Sequence, residues 1–153
     1  MNTKILVKRF TSSAKLPKKS TSRSVGFDIY VDRVEYDFGC MIIYTGIAVQ
    51  PPDGYYFDLI PRSSLSASGL IMANSIGVID PDYSKEIQVR LRPIYGFRNG
   101  DMLCQDYYIK TPVAGDRIAQ LVLRKDYSNM FDIEPVEYFS EETDRGGFGS
   151  TGK

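Results

Sequence analysis

The run Asn74-Ser75-Ile76-Gly77-Val78-Ile79-Asp80-Pro81-Asp82-Tyr83 carries an apolar stretch straight into Asp-Pro-Asp, which puts Asp80 where a strand meets a turn. A carboxylate there either caps the turn through its own backbone or, held by a stiff hairpin, acts as a general base. Pro61-Arg62-Ser63-Ser64 ends a second apolar run. Backbone amides, two hydroxyls and a guanidinium at a strand end suit phosphate oxygens; a serine helix cap beside a solvated arginine is the plainer reading. Gly115-Asp116-Arg117-Ile118-Ala119-Gln120-Leu121 is a turn feeding a buried strand. Arg117 suits a clamp on Asp116 or another carboxylate. Gln120 falls on the polar side, where its amide either donates to a phosphate or faces water.

Other chemistries are excluded by composition. The chain has no histidine, which removes imidazole proton shuttles, Ser-His-Asp triads and His-containing zinc sites. Cys40 and Cys104 are too few for a disulfide framework and read as reduced thiols. Lys plus Arg and Asp plus Glu both number 19, so the formal net charge is zero, unlike the basic excess of a nucleic-acid binder. Gly147 to Lys153 spells G-x-x-x-x-G-K, but a phosphate-binding loop of that type needs a helix after the lysine, and the sequence stops there. No apolar run is long enough to span a membrane. The first residues lack the apolar core of a signal peptide. The expectation is an intracellular protein, cytoplasmic or nuclear.

The elements that must carry these residues are strands. Ile87, Val89 and Leu91 alternate with Gln88, Arg90 and Arg92; Ala119, Leu121 and Leu123 repeat the pattern with Val122 the exception. Met41 to Val49, Tyr55 to Pro61 and Phe131 to Phe139 are further β-rich runs, separated by turn residues such as Pro51-Pro52-Asp53-Gly54 and Arg98-Asn99-Gly100-Asp101. Only Ser64 to Ala73 offers a helix, weakened by Gly69. This pattern predicts an all-β sandwich or barrel. Lys15 to Ser24 reads as a basic, Ser-rich surface loop. Asp144 to Lys153 holds four glycines with Arg145 and Phe148, too little apolar content to pack as a strand and a suitable composition for a flap over a ligand.

Jointly, five segments in order resemble the homotrimeric deoxyuridine triphosphatase family: Val25-Gly26-Phe27-Asp28-Ile29, Arg62-Ser63-Ser64-Leu65, Gly77 through Tyr83, Gly115 to Leu121, and Arg145-Gly146 with Gly147 to Gly152. The resemblance implies a jelly-roll domain over 1–143 and a flexible Gly-rich arm over 144–153 that closes on the site. It implies hydrolysis of dUTP to dUMP and pyrophosphate, with Asp80 activating the water that attacks the α-phosphorus. Such a reaction limits uracil incorporation into DNA and supplies dUMP for thymidylate synthesis. Asn74, Gly77 and Ile79 would read the uracil edge, Tyr83 would lie under the deoxyribose, and Phe148 would cover the base. Arg62, Ser63, Ser64, Gln120, Arg145, Gly149, Ser150 and Thr151 would hold phosphates. Mg²⁺ would be held mainly by the triphosphate, with no protein metal ligand. The partner implied is a homotrimer with shared sites, and neither nucleic acid nor membrane.

Three features depart from that family's pattern. Ser84-Lys85-Glu86 follows Tyr83 where the family has Arg or Gln and then Gly, so a left-handed residue would be strained there. The stretch from Tyr83 to Gly115 is longer than usual, which reads as an inserted surface hairpin or loop around Pro93 to Asp106. The arm is two residues shorter between arginine and phenylalanine, up to ~7 Å of reach. A related deaminase of deoxycytidine triphosphate carries a glutamate ten residues after the hairpin aspartate, where this chain has Arg90. A guanidinium cannot serve as that acid-base. A catalytically inactive homologue used for protein binding is the third reading, and the intact Asp80, Tyr83 and arm do not favour it.

Overall fold

The computed structural model describes residues 4–94, 96–98, 101–103 and 109–140. Its strands follow the alternation. Ile87, Val89 and Leu91 are buried while Arg90 and Arg92 are exposed, so period two translates directly into an inner and an outer face. The strands are β1 (Leu6–Arg9), β2 (Phe27–Tyr30), β3 (Arg33–Asp37), β4 (Cys40–Tyr44), β5 (Ile47–Gln50), β6 (Tyr55–Pro61), β7 (Leu70–Met72), β8 (Gly77–Ile79), β9 (Gln88–Pro93), β10 (Gly96–Arg98), β11 (Asp101–Leu103) and β12 (Arg117–Lys125).

Two antiparallel sheets, in the orders β2-β12-β6-β8 and β3-β4-β9-β7, form the sandwich. Ile29, Phe57, Leu59, Ala119 and Leu121 from the first sheet share one core with Ile43, Leu70, Met72, Val89 and Leu91 from the second. A third pairing, β1 with β5, adds Val49 to this core. The inserted segment forms a small hairpin, with β10 antiparallel to β11. The architecture is the all-β sandwich of a jelly roll.

Three sequence expectations change. The Ser64 to Ala73 helix is absent; a single 3₁₀ turn, Ser66–Ser68, stands there, and β7 begins at Leu70. Gly69 stops the turn at φ 75°, and the Ser68 hydroxyl donates to the Leu65 carbonyl at 2.6 Å, a local bond that competes with helix extension. Met41 to Val49 is two strands, because Gly46 turns the chain at φ +68°, where a β-carbon would fall 2.6 Å from Ala14 Cβ and 2.9 Å from Thr11 Oγ1. Phe131 to Phe139 forms no strand. It has no ladder partner among the described residues, and Phe131, Ile133, Tyr138 and Phe139 are exposed. The arm over 144–153, and the boundary drawn before it, lie outside the described residues.

The β3–β4 hairpin carries a local conflict. Asp37 pairs with Cys40 across a two-residue loop, and both loop residues have positive φ, 44° at Phe38 and 74° at Gly39. Such a turn favours asparagine or glycine at its first position, yet Phe38 is 95% exposed and gains nothing from burial. Phe38→Asn is expected to raise stability by about 1 kcal/mol, read as a higher denaturant midpoint at unchanged slope.

Candidate active site

Sheet topology collects the motif segments. In the order β2-β12-β6-β8, the first motif lies on β2, the fourth on β12, the second at the end of β6 and the third on β8. Segments remote in sequence thus become neighbours through ladder pairing alone. Gln120 on β12 lies opposite Asp28 on one side and Ile60 on the other, which brings it beside Arg62. Gly26 permits this, since a β-carbon there would fall 2.4 Å from Gln120 Oε1.

Asp28 ties this end together. Its carboxylate is 3% exposed and accepts from Ser20 Oγ at 2.6 Å, Arg62 Nε at 3.1 Å and Arg117 Nη1 at 3.3 Å. Arg117 therefore clamps a carboxylate, as its type and place predict, and the carboxylate is Asp28. Asp116 instead accepts the Val113 N–H at 3.1 Å. Arg62 donates from Nη1 to the Ser64 hydroxyl at 3.4 Å, and Ser63 and Ser64 are exposed. Burial pushes the Asp28 carboxyl up, but the Ser20 hydroxyl and the two guanidiniums outweigh it and hold it below the ordinary carboxylate range.

The hairpin starts at this same end, where Ser75 lines a cleft with Arg62 and Ser63, and runs along β6 to the opposite end. Ser75 turns the chain at φ 50°, and its N–H donates to the Met72 carbonyl at 3.1 Å. Asn74 Oδ1 accepts the Arg90 N–H at 3.3 Å, which fastens the hairpin to the second sheet. Gly77 faces Leu59 so closely that a β-carbon would stand 3.2 Å from the leucine's own. Among the described strands β8 is the sheet's edge, so main-chain groups on its outer side are open to a ligand. After Ile79, which is buried, the turn closes through main chain, with the Tyr83 N–H on the Asp80 carbonyl at 3.1 Å. The Asp80 carboxylate is exposed and has no partner among the described residues. It does not spend itself on capping.

Tyr83 is half-exposed, and its hydroxyl donates to the Glu86 carbonyl at 3.2 Å. Glu86, which sequence reasoning passed over, takes both Arg33 Nη groups at 2.9 and 3.0 Å and the Gly46 N–H at 2.7 Å. Arg33 in turn stacks on Tyr44, 3.7 Å from the ring centre. No local sequence signal announces this clamp, because Arg33 and Glu86 are 53 residues apart. Lys85 is not strained: the only described non-glycine residues with positive φ are Phe38 and Ser75.

One chain does not bring all the predicted residues together. Ile79 pairs with Phe57, so Asp80 stands level with Tyr56, and Arg62 lies six residues further along the strand direction. At ~3.3 Å per residue that is about 20 Å. Asp80 and Tyr83 sit at one end of the sheet; Arg62, Ser63, Ser64 and Gln120 sit at the other. Arg145, Phe148, Gly149, Ser150 and Thr151 lie outside the described residues. Among the described residues no three His, Cys, Asp or Glu side chains gather as metal ligands.

The Asp28 cluster makes a pH prediction. Its carboxyl has a lower pKa folded than unfolded, so its contribution is complete above the ordinary value of 3.8 and is lost as pH falls through the lower folded value. Asp28→Asn should cost about 2 kcal/mol at pH 7 and flatten the acid side of the stability–pH curve. Thermal midpoints of both proteins from pH 7 down to pH 3 check this.

Comparison with known proteins agrees with the topology. A family model described as dUTPase matches residues 12–152. The deoxyuridine 5'-triphosphate nucleotidohydrolase of Finegoldia magna is 38% identical over 99% of this chain and 99% of its own length. The Fowlpox virus protein of that name is 36% identical over 97% of each. In fold, the chain resembles a Staphylococcus bacteriophage 80alpha dUTPase solved with dUpNHpp, with a TM-score of 0.69 at 24% identity over 99% of this chain and 100% of that one. With the family model covering nearly the whole length and relatives aligning from end to end, the chain belongs to the dUTPase family.

Proposed function

We propose that this protein hydrolyses dUTP to dUMP and pyrophosphate, with Asp80 as the general base. The observation that carries the reading is the Asp80 carboxylate, exposed and unspent at the end of a hairpin fixed by Asn74, Gly77 and Glu86. The carboxylate takes a proton from water as the water oxygen bonds to the α-phosphorus. The bond from the α-phosphorus to the bridging oxygen breaks, and pyrophosphate carries away the electron pair.

Recognition follows from what surrounds the base. The free edge of β8 presents main-chain groups at Gly77 and Ile79, with Asn74 nearby, to a uracil edge. Cytosine would set donors against donors, at roughly 1–3 kcal/mol per unpaired group. Tyr83, held by Glu86, fills the space a 2′-hydroxyl needs. Arg62, Ser63, Ser64 and Gln120 bind phosphates at the other end of the sheet. The arm supplies Phe148 over the uracil and Arg145, Gly149, Ser150 and Thr151 at the phosphates, and excludes bulk water on closing.

Guanidiniums, hydroxyls and an amide around Arg62 and Gln120 fit polyphosphate oxygens and not a bare dication. Mg²⁺ is therefore assigned to the triphosphate, where it lowers the cost of bringing a nucleophile to a polyanion.

The separation of about 20 Å between Asp80 and Arg62 supports a site built across chains. The apolar run Phe131 to Phe139 supports the same reading, since Phe131, Ile133 and Tyr138 stay exposed among the described residues. The assembly proposed is a homotrimer with sites at its boundaries. The role assigned is intracellular nucleotide metabolism, limiting uracil in DNA and supplying dUMP. No described helix is long and apolar enough to cross a membrane.

Pyrophosphate release from dUTP, measured against dCTP, dTTP and UTP with and without Mg²⁺, tests the activity. Selective release from dUTP is expected, and equal or absent release overturns the reading. Asp80→Asn should lower kcat by ~10²-fold or more with nucleotide binding retained; near-normal turnover removes Asp80 from the mechanism. Complementation tests the shared site. Asp80→Asn and a second protein carrying both Arg62→Gln and Gln120→Ala are unfolded, mixed equally and refolded. A site drawing hairpin and phosphate residues from different chains recovers to about a quarter of wild-type activity. A mixture that forms mixed trimers and stays inactive places both in one chain.

A further inference from the structure

A cleft of about 410 Å³ beside the phosphate turn is lined by Arg62, Ser64, Ser68, Arg117 and a residue that belongs to no motif, Lys110. Lys110 lies between β11 and β12, at the close of the inserted segment. Its main chain is fixed to the turn, with its N–H on the Ser68 carbonyl at 3.1 Å. The other stem of the insertion is held next to it, with the Ile94 N–H on the Gly69 carbonyl at 2.9 Å. Consecutive carbonyls of the turn that follows Arg62-Ser63-Ser64 therefore anchor both ends of the insertion.

Among the described residues nothing engages the ammonium group of Lys110. The residue is exposed and its side chain makes no hydrogen bond, ion pair or ring contact among the described residues. The other cations of the cleft are engaged, since Arg62 and Arg117 both pair with Asp28. Asp116 is the cleft's one lining carboxylate, and it accepts the Val113 N–H rather than an ammonium. An anchored backbone with an unspent charge, facing hydroxyls and guanidiniums, is complementary to a phosphate oxygen.

We propose that Lys110 is a further phosphate-binding residue of the site, contributed by the insertion and acting on substrate affinity rather than on the chemical step. The inference rests on the dUTP reading above and adds a polyphosphate contact to it. Lysine is a point charge on a flexible stem, so it contributes attraction at distance and tolerates more than one phosphate position. Its contribution is uniform between bound substrate and transition state, which places its effect in KM.

The test compares wild type, Lys110→Gln and Lys110→Arg. The fold uses only the backbone N–H of Lys110, so all three should share one thermal midpoint. Lys110→Gln is expected to raise the KM for dUTP and the Kd for inorganic tripolyphosphate about five- to tenfold, the size of one charge-assisted contact. Its kcat should stay within about twofold, and inhibition by deoxyuridine, which has no phosphate, should not change. Lys110→Arg should restore both constants. Unchanged KM and tripolyphosphate affinity in Lys110→Gln would overturn the proposal, as would an equal loss of deoxyuridine affinity. Tripolyphosphate binding is measured by calorimetry without turnover. A wild type that binds it through Lys110 but fails to cleave dUTP would overturn the dUTP reading alone.

Discussion

The buried carboxylate of Asp28 is the constraint on which the Arg62 end of the sheet depends. A charge at 3% exposure persists only if it is paired and hydrogen-bonded. Here a serine from the basic loop, an arginine from the end of β6 and an arginine from the start of β12 all converge on it. The same bonds fix two guanidiniums that line the adjoining cleft. In the function proposed above, one set of contacts then serves both structural need and phosphate recognition. This explains why an acidic residue interrupts the apolar run of β2 between Phe27 and Ile29.

The hairpin obeys a different logic. Little of it is buried, and its rigidity comes from clamps: Asn74 on the main chain of Arg90, Glu86 on Arg33 and Gly46, and a close contact between Gly77 and Leu59. Asp80 itself is left out of the clamping among the described residues. In the mechanism proposed above, positioning is delegated to its neighbours and proton transfer is kept in a group without a clamping role.

Much of this was legible in the sequence, for identifiable reasons. Strands such as β9 and β12 announce themselves because one face is buried, and burial imposes period two. The motif residues were legible because their types and spacing occur together. Ser64 to Ala73 misled because its composition tolerates a helix, while Gly69 and the ladder between β7 and β9 decide otherwise. Phe131 to Phe139 has the residues of a strand but no ladder partner among the described residues, and a ladder partner is something no local pattern supplies. Glu86 and Lys110 were not legible at all. Their roles come from chain segments that meet only after folding, Glu86 with Arg33 and Lys110 with Ser68.

The uncovered run from Phe131 to Phe139 also bears on how such a protein is made. A newly synthesised chain can complete both sheets and still present Phe131, Ile133, Tyr138 and Phe139 to water. In the homotrimer proposed above, its folded state is coupled to protein concentration, because burial of that ribbon is then an encounter between molecules. Dilute chains would hold native sheets with a sticky edge, and crowded ones would face competition between orderly assembly and aggregation. For the homotrimer proposed above, the last step of folding is a second-order reaction.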